Sequence, residues 1–205
     1  MTTEALSGVL AFPFDADATG RRAADDVACD PRQRLRARIP RIRRLVVRLL
    51  GRGDDIDDVV QEVLVQCLRS LPTVRSPATF DEWVTSVTTH VVHGALRGRT
   101  RFRRRIECVA EPPDVPAPDG ALAGADAVLV RRCLERVQDI LEALDPELRA
   151  AFVLRVMEEV KLEQVAEWLG VSLATAKRRI AAAEAAFWER ALRDPYLSAW
   201  MERRS

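Results

Sequence analysis

The chain of 205 residues has four cysteines, Cys29, Cys67, Cys108 and Cys133, and no two of them form a CxxC pair. That spacing signals neither a structural zinc site nor a disulfide framework for a small secreted fold. Histidine is scarcer still. His90 and His93 are spaced to share a helix face, but no third ligand accompanies them, so no metal and no cofactor is expected. No stretch approaches the roughly 20 apolar residues that a membrane-spanning helix needs. The opening MTTEALSGVLAFPF lacks a basic leader and a sufficiently long apolar run. A soluble cytoplasmic protein without membrane insertion is the expectation. Also missing is any nucleophile, acid–base pair or metal constellation with workable spacing, which leaves an enzyme as the least supported class. Strand-like alternation between turn signals is absent too, so the expected fold is all-α.

What the chain does have is arginine. Of its 32 basic residues 30 are Arg, and 31 acidic residues bring the net charge to only +1. The distribution is uneven: arginine crowds RQRLRARIPRIRRLVVRLLGR and RGRTRFRRR, whereas DDIDD and EPPDVPAPD are acidic or neutral. Clustered arginine is the usual electrostatic footprint of a phosphate-binding surface, although a solvated helix face would look similar.

Residues 1–30 show no sustained periodicity and are expected to form a flexible tail. In IDDVVQEVLVQCLRSL, the residues Ile56, Val59, Val60, Val63, Leu64, Cys67, Leu68 and Leu71 recur at threes and fours, the stripe of a helix packed on one side. A second helix is expected from about Phe80, with Trp83, Val84, Val87 and Val91 apolar, running into the basic cluster. Trp83 lies on that apolar side and reads as core. Residues 107–127 are rich in proline with a DG turn signal and few large apolar residues, which reads as a linker. A first helical domain at 31–106 and a second at 128–205 follow.

In the second domain one helix carries Leu129, Cys133, Val137, Ile140, Leu141 and Leu144. DPEL then opens another, with Asp145 as cap and Pro146 where a missing N–H costs nothing. LEQVAEWLG follows, then the stretch GVSLATAKRRI. There Gly170 can end one helix in the left-handed conformation and Ser172 can cap the next. Ala176, Ile180 and Phe187 suit the core, while Thr175, Lys177, Arg178 and Arg179 project elsewhere. A helix-turn-helix offers the first residues of its second helix to base edges. Ser172 and Thr175 can donate to phosphates or bases, and Arg178 and Arg179 can bind phosphate or pair with guanine.

Taken together, LDPELRAAFVLRVMEEVKLEQVAEWLGVSLATAKRRIAAAEAAF resembles region 4 of bacterial RNA polymerase sigma factors of the extracytoplasmic-function (ECF) group. DIDDVVQEVLVQCL, residues 55–68, resembles the region 2 helix of the same family, and Phe80 with Trp83 matches its next helix. The resemblance implies two small helical domains, a region 2 bundle and a region 4 helix-turn-helix, joined by the proline-rich linker. It implies a non-enzymatic subunit that binds core RNA polymerase through the beta-prime coiled coil and beta flap, directs it to promoter DNA and helps open the duplex. It also leaves room for an anti-sigma factor as a further partner.

By the same resemblance Asp58, Gln61 and Glu62 dock the polymerase, and Ser172, Thr175, Lys177, Arg178 and Arg179 engage the minus-35 element. The basic stretch from Arg97 to Arg105, including Arg99, Arg101, Arg103 and Arg104, holds DNA near the minus-10 element. The chain departs from the family at Thr89, His90 and Gly94, where an R-x-N motif and an Asp are usual. Ala182 stands where an arginine is common, and Lys161 where Ser or Thr would cap the first helix of the motif. Two rivals stay open: a stand-alone helix-turn-helix regulator, and a sigma-like protein that competes for core polymerase or an anti-sigma factor.

Overall fold

The computed structural model describes residues 30–53, 55–71, 80–103 and 125–202, with side chains described over 30–53, 55–71, 80–97 and 128–202. Every regular element among them is a helix. In the first half these are α1 (Pro31–Leu50), α2 (Ile56–Ser70) and α3 (Phe80–Arg103). The second half has α4 (Ala125–Glu142), α5 (Pro146–Phe152), α6 (Leu162–Trp168), α7 (Leu173–Ala191) and α8 (Pro195–Glu202). The tail and most of the stretch read as a linker lie outside the described residues, but α4 begins at Ala125, inside the stretch read as linker.

Three of the helices open on an Asp-Pro pair. Asp30 accepts from Arg32 N at 3.1 Å, Asp145 from Glu147 N at 2.9 Å, and Asp194 from Tyr196 N at 3.0 Å and Leu197 N at 3.1 Å. In each the carboxylate satisfies amides that the helix leaves orphaned, and the proline occupies a position whose N–H would have no internal partner. Asp145 and Pro146 stand as the sequence suggests. The same signal at Asp194 builds α8, which periodicity did not reveal.

The first half is a bundle in which α1, α2 and α3 pack mutually. Ion pairs tie its rim: Arg38 Nε lies 2.6 Å from Asp81 Oδ1, and Arg43 pairs with Asp57. Thr85, Thr88 and Thr89 are buried in α3, yet each hydroxyl donates to the carbonyl four residues back, at 2.9, 2.7 and 2.8 Å. This is how a helix rich in Thr and Val meets its polar requirements inside a core. Trp83 packs against Phe80 with ring centroids 5.3 Å apart, in keeping with a packing role.

In the second half α5 and α6 lean on α7, and α8 folds back on α4. Phe152 and Phe187 stack at 4.6 Å in the centre, an aromatic contact that contributes about 1 kcal/mol beyond its buried area. Cys67 and Cys133 are buried small core residues, as their places on apolar stripes suggest. After Phe152 the helix widens into a π turn, Val153–Met157, where Glu158 N bonds back to Val153 O at 3.0 Å. Glu159 follows with φ of 54°, an unusual conformation for a residue with a Cβ.

The two halves meet. Leu45, Val46, Val47, Leu49 and Leu50 are all buried, and a helix covered on one side only cannot bury so many consecutive positions. Here α2 and α3 cover one side of α1, while α4 and α5 cover another. A single apolar cluster therefore runs from Leu35 through Leu141 and Phe152 to Leu197.

Candidate nucleic-acid and polymerase interface

The turn between α6 and α7 is built by two local devices. Gly170 takes φ of 64°, Gly170 N bonds to Glu167 O at 3.0 Å and Val171 N to Ala166 O at 2.9 Å. That pair of bonds is the Schellman ending, which needs a residue at ease in the left-handed region. Ser172 then caps α7, its Oγ accepting from Thr175 N at 3.1 Å and lying 2.9 Å from Thr175 Oγ1. Lys161 stands at the N-cap of α6 with no side-chain cap bond, as its replacement of Ser or Thr implies.

Ala176, Ile180, Ala183 and Phe187 turn the buried side of α7 into the core, so the opposite side faces outward by helical geometry. Ser172, Lys177 and Arg178 are exposed there, with Thr175 half-buried beside its cap. Arg179 is different. It pairs with Glu147 at the start of α5, and its side chain retains 21% exposure. Ala182 is exposed, so that position faces outward and offers a methyl group.

On α2, Asp58, Gln61 and Glu62 are exposed. Leu68 does not join the buried stripe: it is 49% exposed, and Val65 is 39% exposed. The helix axis turns about 100° per residue, so positions 58, 61, 62, 65 and 68 form one outward stripe. Its first turns are acidic and its last turns apolar. Reading the complement of the apolar stripe would have found it.

Between α2 and α3 lies an open groove of about 450 Å³, with walls that include Gln66, Ser70, Ser86, Val87, His90 and Val91. His90 Nδ1 is 2.8 Å from Ser86 O, which sets the ring and leaves Nε2 as its second polar atom. Of the positions that depart from the family motif, Thr89 is buried, while His90 and Gly94 are exposed and also reach this groove. A Cβ added at Gly94 would meet nothing within 4 Å.

Arg97 is exposed on α3. Arg99, Arg101 and Arg103 belong to the helix, but their side chains lie outside the described residues, as does Arg104 altogether. One turn before Arg97, His93 has a pKa below its ordinary 6.5. Burial is the main cause, the positive charge of Arg97 comes next, Glu147 opposes it, and His90 and Arg179 add to the lowering. Across from this stretch, α3 packs against α6, the helix that precedes the turn.

Among the described residues no group of three His, Cys, Asp or Glu could hold a metal ion, and no helix is long and apolar enough to cross a membrane.

Comparison with known proteins bears on this arrangement. Residues 35–102 match the model of sigma-70 region 2 and residues 134–187 that of sigma-70 region 4. The chain is 33% identical over 177 residues to the ECF RNA polymerase sigma factor SigE of Mycolicibacterium smegmatis, covering 80% of this chain and 61% of that protein's length. It is 26% identical over 147 residues to the ECF RNA polymerase sigma-E factor of Haemophilus influenzae, covering 66% of this chain and 74% of the relative. Among solved structures, the sigma factor RpoE of Bartonella quintana, in complex with the anti-sigma factor NepR, shares the fold. The TM-score is 0.57 at 22% identity, over 78% of this chain and 94% of that one.

Proposed function

Because the chain belongs to the sigma-70 family, in its extracytoplasmic-function group, we propose that it binds core RNA polymerase in the cytoplasm, directs it to promoters and helps open the duplex. The observation that carries this reading is the capped turn at Gly170 and Ser172, which leaves Lys177 and Arg178 outward on a helix whose other side is anchored in the core. It is joined in one chain to a region 2 bundle with an exposed acidic and apolar stripe on α2.

In this reading Asp58, Gln61 and Glu62 meet basic groups of the polymerase beta-prime coiled coil, and Val65 and Leu68 bury against its apolar side. A charged rim around a small apolar centre is the common anatomy of a protein interface. The beta flap is the second polymerase contact, made by the region 4 half. Ser172, Thr175, Lys177 and Arg178 contact the minus-35 element, and Arg179 is oriented by Glu147. Arg97, Arg99, Arg101, Arg103 and Arg104 hold the backbone near the minus-10 element. Each DNA contact alone is weak and steeply salt-dependent, and tethering both to one polymerase raises their effective concentration.

Strand opening needs no covalent chemistry. The groove between α2 and α3 receives an unstacked base, with the His90 ring as platform and Gln66, Ser70 and Ser86 as hydrogen-bonding groups. Capturing such a base offsets an unstacking cost of a few kcal/mol. An anti-sigma factor is the class of regulator that this assignment admits.

The proposal is tested by mixing the full chain with core polymerase and genomic promoter fragments in a gel-shift assay. The complex should retain fragments that neither component retains alone. Tight retention by the chain alone would instead identify a stand-alone regulator. Core binding without promoter retention would identify a competitor for the polymerase.

A further inference from the structure

At the start of α7 several side chains that could read a base by hydrogen bonding are already engaged. Ser172 Oγ accepts from Thr175 N at 3.1 Å and lies 2.9 Å from Thr175 Oγ1. Whichever hydroxyl donates to the other, the pair keeps a single hydroxyl proton to offer outside. Arg179 is drawn to Glu147, while Lys177 and Arg178 are exposed. Between the cap and these two cations stands a residue of another kind. Leu173, the first residue of α7, is 41% exposed.

The core does not explain a leucine at this place. Ala176, Ile180, Ala183 and Phe187 make the buried side of α7, and Leu173 stands outside the apolar cluster that Ile180, Ala183 and Phe187 join. Four residues turn a helix about 40° past a full circle. Leu173 therefore shares a row with Lys177, and exposed Ala174 shares the next row with Arg178.

The charges around Leu173 narrow what can cover it. The helices α2, α3, α5 and α6 each carry Asp or Glu in the first turn, where the helix dipole favours a carboxylate, and α7 carries none. No acidic residue occurs from Ser172 to Ala183. An exposed leucine in so positive a setting suits an anionic surface with apolar groups in its recess. The major groove of DNA is such a surface, with phosphates along its rims and the thymine C5-methyl group projecting into it. A helix-turn-helix brings the first residues of its second helix to those base edges.

On the sigma reading of this helix, we propose that Leu173 is a specificity-determining residue that covers the 5-methyl group of a thymine in the upstream promoter element. Its contact differs in kind from that of Arg178. The guanidinium selects guanine through paired hydrogen bonds, whereas Leu173 selects thymine over cytosine or uracil by burying a methyl group. Loss of one buried methyl lowers affinity about fourfold.

The test uses the full chain bound to core polymerase and a genomic promoter fragment that the complex retains. Each thymine of the upstream element, on both strands, is replaced in turn by deoxyuridine, which removes the methyl group and nothing else. With the parent chain, deoxyuridine at one thymine should weaken retention about fourfold. With Leu173→Ala that penalty should vanish, while the loss caused by adding Arg178→Ala persists. Leu173→Met, which keeps an apolar side chain of similar volume, should keep the penalty. These variants should pull down core polymerase as the parent does, and Leu173→Gln replaces Leu173→Ala if the latter does not.

Deoxyuridine without effect at every position with the parent chain would overturn the proposal with no variant needed. So would a penalty that survives at full size in Leu173→Ala, which would give the methyl contact to another residue. Retention of a fragment without methyl sensitivity thus removes Leu173 alone. If chain and polymerase together retain no genomic fragment, the sigma reading falls and takes the Leu173 contact with it.

Discussion

Arg178 and Arg179 are neighbours in sequence with different surroundings. Arg178 projects from the reading helix into solvent, while Arg179 is held by Glu147. A bidentate arginine–guanine contact is worth about 1–3 kcal/mol of discrimination. Arg178→Ala should therefore lower run-off from a cognate promoter about tenfold, while pull-down of core polymerase stays unchanged. Equal loss of both would place Arg178 in the polymerase contact instead. His93 gives a second prediction. Burial, with Arg97 next, holds its pKa below 6.5, so the folded chain favours the neutral ring. Its contribution to stability is complete above the unfolded value and drains away as the pH falls through 6.5, because the unfolded chain then binds the extra proton. The urea midpoint should drop between about pH 7.5 and pH 5.5, and His93→Gln should flatten that drop. An unaltered slope in the variant would remove His93 from the account.

At the scale of elements, the caps decide where helices begin. Asp194 shows how much one residue can hold: it caps α8 through Tyr196 N and Leu197 N and pairs with Arg136 at 2.7 Å. Burial acts first and upward on its carboxyl, yet the Arg136 hydrogen bond and the two amides pull the pKa below its ordinary value. Asp194→Ala removes the cap and leaves Arg136 without this buried partner, so a loss of about 2 kcal/mol in thermal or urea unfolding is expected. A variant as stable as the parent would show that α8 does not depend on this residue.

Much of this level was legible beforehand. DPEL, Gly170 and Ser172 each carry a local signal with its own physics, and the structure places them as that physics requires. The α8 cap was equally legible from Asp194 and Pro195 but is masked by a weak apolar pattern. Leu68 misled for the opposite reason: it fits the spacing of a buried stripe while standing on the outward edge of it. Hydropathy at threes and fours marks a stripe but not its width.

At the scale of the whole molecule, the order of the two halves and their family could be read from motifs, whereas their packing could not. The partners of Arg149, the carbonyls of Leu49 and Leu50, and the Arg48 partner of Glu158 lie about a hundred positions away along the chain, and no local rule pairs residues at that distance. One clue was present. RRLVVRLLG is too apolar around its circumference for a helix covered on one side. The cover proves to be the second half, and its contact with α1 leaves the α2 stripe and the outward side of α7 exposed at their key positions.

Run-off transcription with core polymerase on genomic fragments tests the central claim most directly, because it requires polymerase binding, promoter choice and strand opening at once. Discrete transcripts that depend on the chain, and that fade with Arg178→Ala, are predicted. Transcription that never rises above that of core polymerase alone on any fragment would contradict it.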